Sequence, residues 1–232
     1  MNNFEMRVSF QREINQYENA PYFNEVDIYY WLNQAVEKFI ETRLSGNNFK
    51  GESLEQGQKR LDDLRSLIVQ ETISGGNLTE GTAKTNSYLA DLTSLSSTYK
   101  HRIGEEVTIQ YTDALGIVKS KRQGVTECTS DTYRSRIDDP FGDYRLQYGE
   151  AKPLRLFIGD DVELITDGNY SVTAYHIVFL RNPAVLTSDG GIDCDLAEHT
   201  HREIVKMAVN LALENIGSNR YQTSSVEIQN ME

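Results

Sequence analysis

The stretch Val162-Glu163-Leu164-Ile165-Thr166-Asp167-Gly168-Asn169-Tyr170-Ser171-Val172-Thr173-Ala174-Tyr175-His176-Ile177-Val178-Phe179-Leu180 decides how the fold is read. Its first five residues read as a strand that leads into Asp167-Gly168. Asp167-Gly168 suits a two-residue hairpin turn, because glycine takes positive φ without steric cost. The returning run places Val172, Ala174, His176, Val178 and Leu180 on one face and Tyr175, Ile177 and Phe179 on the other. A strand apolar on both faces is expected in the middle of a sheet. Arg181-Asn182-Pro183 ends it, since proline cannot donate to the ladder.

Strand-like patterning extends upstream to about Thr85. Glu106 to Thr112 alternates as a half-buried strand does, and Arg155-Leu156-Phe157-Ile158 is another candidate. Lys119-Ser120-Lys121-Arg122 reads as a solvated hairpin edge, where lysine blocks edge-to-edge pairing. Before this region the period is helical. Residues 4 to 17 suit a short helix that Ala20-Pro21 breaks. Asn24 is a good N-cap for a second helix, with Glu25 and Asp27 in its first turn. Its buried stripe is Ile28, Leu32, Ala35, Val36, Phe39 and Ile40, and it ends at Ser45-Gly46. Ser53-Leu54-Glu55-Gln56 has capping-box spacing for a third helix, carried on by Leu61, Leu64, Leu67 and Ile68 up to Gly75-Gly76.

After the strands, Asp195 and Glu198 have the spacing of another capping box. Ile204, Val205, Ala208, Leu211, Ala212 and Ile216 give a last helix that Gly217 closes. The expectation is an α+β fold: a helical bundle built from N-terminal and C-terminal helices, with a large inserted antiparallel β-region. Four segments follow, with N-terminal helices at 1–75, an inserted β-domain at 76–191, the C-terminal helix completing the bundle at 192–217, and a tail at 218–232. The helix at Asn24–Leu44 is expected to pack on the last helix across the whole insertion.

Composition bounds the function. The chain has 232 residues, with 23 Lys and Arg against 35 Asp and Glu, a net charge of −12. Residues 100–155 carry 10 basic and 9 acidic residues, so the acidic excess lies elsewhere. A chain so acidic lacks the basic footprint of a DNA reader. No apolar run approaches the roughly 20 residues of a membrane span, and no secretory signal is expected. Two cysteines, Cys128 and Cys194, are too few for a disulfide framework and read as reduced thiols.

Catalytic and metal constellations fail on spacing. His199 and His201 stand two apart on a helix start and diverge; with Cys194 and Cys128 they match no short-spaced zinc pattern. Asp189, Asp193, Asp195 and Glu198 lack the order of a calcium loop and read as caps and turns. Asp138-Asp139-Pro140-Phe141-Gly142-Asp143 is turn chemistry. No phosphate loop, nucleophile elbow or paired-histidine zinc motif occurs. The expectation is no enzyme, no cofactor and no metal. Tyr29, Tyr30 and Trp31 crowd the second helix beyond what one core face can hold, which points to a partner surface. Tyr221, Val226, Ile228 and Met231 are apolar anchors in an otherwise polar tail.

Four stretches resemble one family. Asp27-Ile28-Tyr29-Tyr30-Trp31-Leu32-Asn33-Gln34-Ala35-Val36-Glu37-Lys38-Phe39-Ile40-Glu41-Thr42-Arg43 is similar to the first core helix of head-to-tail connector or adaptor rings of tailed phages. Lys59 to Leu67 resembles the next helix in ring proteins of crAss-like phages. Tyr175 to Pro183 resembles their strand ending at proline. Glu198 to Glu214, with Asn219-Arg220-Tyr221-Gln222, resembles their closing helix and tail. The β-region from Asn86 to Gly149 carries no such likeness.

The resemblance implies a structural virion protein of a bacteriophage, made in the bacterial host cytoplasm. It would be a homo-oligomeric ring, read as a dodecamer, in the neck. Its partners would be the portal protein and adjacent neck and tail rings. Phage DNA would pass transiently without specific binding, during genome ejection, and no membrane would be involved. The candidate partner interface is Tyr29, Tyr30, Trp31, Arg220, Tyr221 and Ile228. Glu37, Glu41, Asp62 and Asp63 are candidates for negative charge facing the channel or solvent. The alternative is a β-rich binding module for glycan or a host surface with helical supports, which the 13 tyrosines would suit.

Overall fold

A computed structural model describes residues 1–15, 22–44, 58–81, 84–188 and 192–215. In chain order the elements are α1 (Asn3–Ile14), α2 (Glu25–Leu44), α3 (Gln58–Leu64), β1 (Ile68–Ser74), β2 (Leu78–Glu80), β3 (Ser87–Asp91), β4 (Tyr99–Thr112), β5 (Val118–Gly124), β6 (Thr126–Glu127), α4 (Tyr133–Asp138), β7 (Leu154–Ile158), β8 (Asp161–Ile165), β9 (Tyr170–Arg181) and α5 (His201–Asn215). They form two compact units, Met1–Leu67 with Pro183–Glu232, and Ile68–Asn182.

This corrects the expected fold class. The chain is sheet-rich, with one four-stranded and one five-stranded sheet and a few helices, and is not a helical bundle carrying an inserted β-region. The expected third helix shows why. Only Leu61, Leu64 and Leu67 of its stripe stay helical, in the seven residues of α3 and one 3-10 turn. The chain then becomes β1, where Ile68, Val69, Thr72 and Ile73 are β-branched and favour a strand. β1 is also needed as a neighbour: β9 is apolar on both faces and lies between β1 and β4.

In the helical unit, α1 and α2 both pack against α5. Asn2 and Glu5 form a capping box at the start of α1, and Asn24 Oδ1 accepts from the Asp27 N–H at the start of α2. Met6, Phe10, Leu32, Phe39, Ile40, Ile204 and Ala208 are fully buried. Asn33 Nδ2 donates to the Leu186 carbonyl at 3.0 Å, and its Oδ1 accepts from the Leu186 N–H at 2.9 Å, pinning the segment after Pro183 to α2. Asp195 is not the cap of the last helix. Its Oδ2 accepts from the Ala184 N–H at 2.9 Å, and α5 starts only at His201, after a 3-10 turn over Glu198–Thr200. The expected cap at Ser53 and the stops at Ser45-Gly46 and Gly217 lie outside the described residues.

In the sheet unit the strand orders are β1-β9-β4-β5 and β2-β3-β8-β7-β6. Ile73, Val107, Ile109, Tyr175, Ile177 and Phe179 from the first sheet meet Ala90, Val162 and Leu164 from the second in one core. β9 is central, as its two apolar faces require. The turn at Asp167-Gly168, however, does not close a hairpin. β8 pairs with β3 and β7, whereas β9 pairs with β1 and β4, so the segment crosses between sheets. Asp167 accepts from the Asn169 and Leu146 N–H groups at 2.9 Å, which fixes the crossing. The true two-residue turn is Gly159-Asp160, between β7 and β8, with Gly159 at φ +62°. β5 is an edge strand of exposed residues, as its lysines require.

Candidate functional site

The start of α2 presents an aromatic surface. Successive helical residues diverge by about 100°, so Tyr29 turns inward and is buried while Tyr30 is 54% exposed. Trp31 is half-buried and meets Tyr30 edge-on, with ring centroids 5.0 Å apart. Val26, 70% exposed, stands one turn before Tyr30, and exposed Tyr22 precedes the helix. Burial raises the Tyr29 phenol above its ordinary pKa; the Arg7 cation opposes this and Glu25 adds to it. Arg7 also pairs with Glu25 and lies 4.8 Å over the Phe4 ring. Of the other expected interface residues, Arg220, Tyr221 and Ile228 lie outside the described residues, as does the rest of the tail.

A buried ionic cluster joins four elements of the same unit. Arg43 Nε donates to Asp63 Oδ2 at 2.9 Å, and Arg43 Nη2 donates to Glu203 Oε1 at 2.6 Å. Asp63 Oδ1 lies 2.7 Å from His199 Nε2. The guanidinium stands 4.6 Å over the Phe39 ring. Burial pushes the Glu203 carboxyl up, and the Arg43 guanidinium pulls it down. Asp63 is therefore no outward-facing acid: it is 1% exposed, whereas Glu41 and Asp62 are exposed and Glu37 is partly so. Sequence spacing gave no signal of this cluster, because its members come from α2, α3, the 3-10 turn and α5.

Several residues weighed for catalysis or metal have structural partners, while Asp189 lies outside the described residues. His199 holds Asp63, and His201 Nε2 contacts the Leu196 carbonyl at 2.9 Å. Asp193 accepts from the Asn3 N–H, Asp139 Oδ1 accepts from the Phe141 N–H, and both cysteines are free thiols. Among the described residues no group of three His, Cys, Asp or Glu side chains is placed to hold a metal, and no helix is long and apolar enough to cross a membrane. The basic run is paired: Lys119 with Asp113, Lys121 with Glu150 and Arg122 with Glu106. A second ionic group lies in the sheet unit, where Arg155 contacts Glu105 and Glu127 at 3.0 Å and Tyr175 donates to Glu105 at 2.8 Å.

His176, on the outer face of β9, spans two hydroxyls. Thr72 Oγ1 lies 2.8 Å from Nδ1 and Thr108 Oγ1 lies 2.8 Å from Nε2, a setting that satisfies a neutral ring at both nitrogens. Burial holds its pKa below the ordinary value, helped by the Arg122 cation and opposed by Glu106. The unfolded chain then binds this proton more readily than the folded one. Stability is expected to fall as pH drops below about 6.5, the unfolded value. Urea unfolding across that range should show a flatter pH profile for His176→Gln; parallel profiles would remove the penalty assigned to the ring.

No curated protein sequence matches the chain. The model of one protein family, phage tail ring protein 3/4, matches residues 1–225. The match runs through both units, including the strands that carried no resemblance by motif. The assignment is to a structural ring of the virion, in keeping with an exposed aromatic surface and with histidines and acids committed to holding the fold. The chain therefore belongs to the phage tail ring protein 3/4 family.

Proposed function

We propose that the protein forms a ring, a dodecamer, in the phage neck, where it joins the capsid portal to the tail and continues the DNA channel. Its partners are further copies of itself, the portal protein and the adjacent neck and tail rings. The observation that carries this reading is electrostatic. The chain is acidic overall, Glu41 and Asp62 are exposed, and Lys119, Lys121 and Arg122 are each paired with a carboxylate. Duplex DNA can slide past such a wall, whereas each phosphate neutralised by a lysine or arginine would add a salt-dependent grip. The strip of Tyr22, Val26, Tyr30 and Trp31, backed by buried Tyr29, is suited to contact between rings or subunits. Arg220, Tyr221 and Ile228 are proposed to complete that contact.

The purified protein, alone and with a portal, is expected to give closed rings by electron microscopy. It should not retard duplex DNA at physiological salt. A chain that stays monomeric in both settings would contradict the ring. Binding whose affinity falls steeply with salt would contradict the passive channel and assign Lys119, Lys121 and Arg122 a gripping role.

A further inference from the structure

The segment between α4 and β7 turns two aromatic side chains to solvent beside one cavity. Tyr148 is fully exposed and Phe141 is 83% exposed, and both line a cavity of about 300 Å³ in the sheet unit. Tyr148 stands on a two-residue turn that is closed twice. The Gln147 N–H donates to the Glu150 carbonyl, and the Glu150 N–H donates to the Gln147 carbonyl, both at 2.9 Å. Tyr148 has φ +53° and Gly149 φ +79°, the pair of positive angles that a type I′ turn needs. The first of these positions ordinarily takes asparagine, aspartate or glycine, and a tyrosine there is strained. A Cβ at Gly149 would collide with the Tyr111 hydroxyl, so the turn is seated directly on β4. The Tyr148 ring is thus displayed at a conformational cost, and it covers none of the chain's own core.

The rest of the wall is polar and held in place. Gln123, near the end of β5, has its Nε2 buried with no hydrogen-bond partner. The Asp143 carboxylate makes no hydrogen bond or ion pair among the described residues. The Asp143 carbonyl accepts from the Lys152 N–H at 2.8 Å, which ties the two sides of the segment together. Arg145 Nε donates to the Asp139 carbonyl and its Nη2 to the Ile137 carbonyl, both at 2.9 Å. The Phe141 N–H donates to Asp139 Oδ1 at 2.9 Å. These bonds order the wall before any ligand arrives, which lowers the cost of binding. The charges along it cancel, with Asp143 and Glu150 against Arg145 and Lys152. A wall without net charge gives no Coulomb preference for a phosphate, a carboxylate or a cation. An anchor side chain from a protein partner would need a desolvated apolar well, whereas this wall is amide and charge behind two aromatic rings.

A neutral sugar matches both features. One face of its ring carries C–H groups that pack on aromatic carbon, and its edge carries hydroxyls that each donate and accept. We propose that this cavity binds a neutral hexose, free or at the end of a glycan, with its C–H face against Tyr148 and Phe141 and its hydroxyls on Gln123, Asp143 and Lys152. Gln123 Nε2 gains the acceptor that it lacks, and the Asp143 carboxylate gains a donor. The strained tyrosine then has a use, because a ring with two torsions is a large anchor that loses little entropy on binding. The volume stands at the lower end of the roughly 300–1,000 Å³ of small-molecule sites, enough for about one sugar ring. The site is additional to ring assembly and does not depend on it.

Saturation-transfer NMR on the full chain tests it, with glucose, galactose, mannose and N-acetylglucosamine as free sugars and dextran as a glycan. A monosaccharide is expected to receive saturation, strongest at the C–H protons of one ring face, with a Kd of about 1 mM. Transfer to dextran and to no free sugar would assign the site to glycan chains and still support it. Tyr148→Asn suits the left-handed position, so it should keep or raise the thermal midpoint while weakening binding by about tenfold or more. Phe141→Ala, at an exposed position, and Gln123→Met, which keeps the side-chain shape and loses the donor, should also fold and bind more weakly. These two decide the matter if Tyr148→Asn does not fold. Transfer to none of the five ligands overturns the proposal. Binding that all three variants retain places the sugar elsewhere and overturns it too. Ring assembly lost in Tyr148→Asn and Phe141→Ala, with no sugar bound by the native chain, would assign the two aromatics to a protein contact and equally overturn the sugar site.

Discussion

Replacing Arg43 by alanine is expected to destabilise the helical unit by about 3 to 5 kcal/mol, the usual cost of breaking a buried ion pair from one side. The side chain is 2% exposed and is the shared donor to Asp63 and Glu203. Without it, two buried carboxylates lose the guanidinium they share, leaving Asp63 with His199 and Glu203 with the field of Lys59. The size of the effect measures that orphaning, and does not measure the net value of the cluster. Replacing the set together, with Arg43→Met, Asp63→Leu and Glu203→Met, is expected to be neutral or stabilising by about 1 to 4 kcal/mol. His199 then loses its partner at little cost, because its side chain is 59% exposed. The Arg43→Ala defect should shrink as pH falls. The Glu203 carboxyl is already pushed up by burial, so on protonation it no longer requires a cation. Trp31, the only tryptophan, sits on α2 and gives a fluorescence signal for urea unfolding of this unit. An Arg43→Ala protein as stable as the native one would show that the acids find other partners.

Phe39→Ala is expected to cost about 3 to 5 kcal/mol, and Leu32→Ala about 2 to 5 kcal/mol. Both side chains are fully buried on the face of α2 that packs against α5, and each truncation leaves a cavity in a rigid interface. Phe39 also lies beneath the Arg43 guanidinium, so its removal and that of Arg43 should not add. A double-mutant cycle over the two should show coupling of about 0.5 to 3 kcal/mol, as expected for residues in contact. Unchanged thermal midpoints for Leu32→Ala and Phe39→Ala would contradict burial of the stripe.

Periodicity made several local features legible. The α2 stripe from Ile28 to Ile40, the Asn24 cap, the two-faced strand β9 and the lysine-guarded edge β5 follow from residue type and spacing alone, because each depends on a period or on one turn of chain. The errors arise where two periods overlap or where the partner is distant. Leu61, Leu64 and Leu67 suit a helix, but the β-branched run after them and the vacant edge of β9 turn the chain into β1. Asp167-Gly168 has the chemistry of a hairpin turn, yet β8 and β9 find longer ladders in different sheets. Asp195 and Glu198 have capping-box spacing, but the Asp195 carboxylate turns back to the Ala184 N–H, eleven residues earlier.

The sequence by itself pointed to a phage ring protein through four stretches of resemblance, and it determined the acidic balance and the helical face of α2, since composition and short-range periodicity survive whatever the rest of the chain does. Tertiary structure alone decided the sheet-rich architecture, the inward turn of Asp63 to Arg43, and the pairing of the basic run. Each of these depends on which distant groups meet once the chain has folded, and a burial or charge pattern along one segment does not specify its partner.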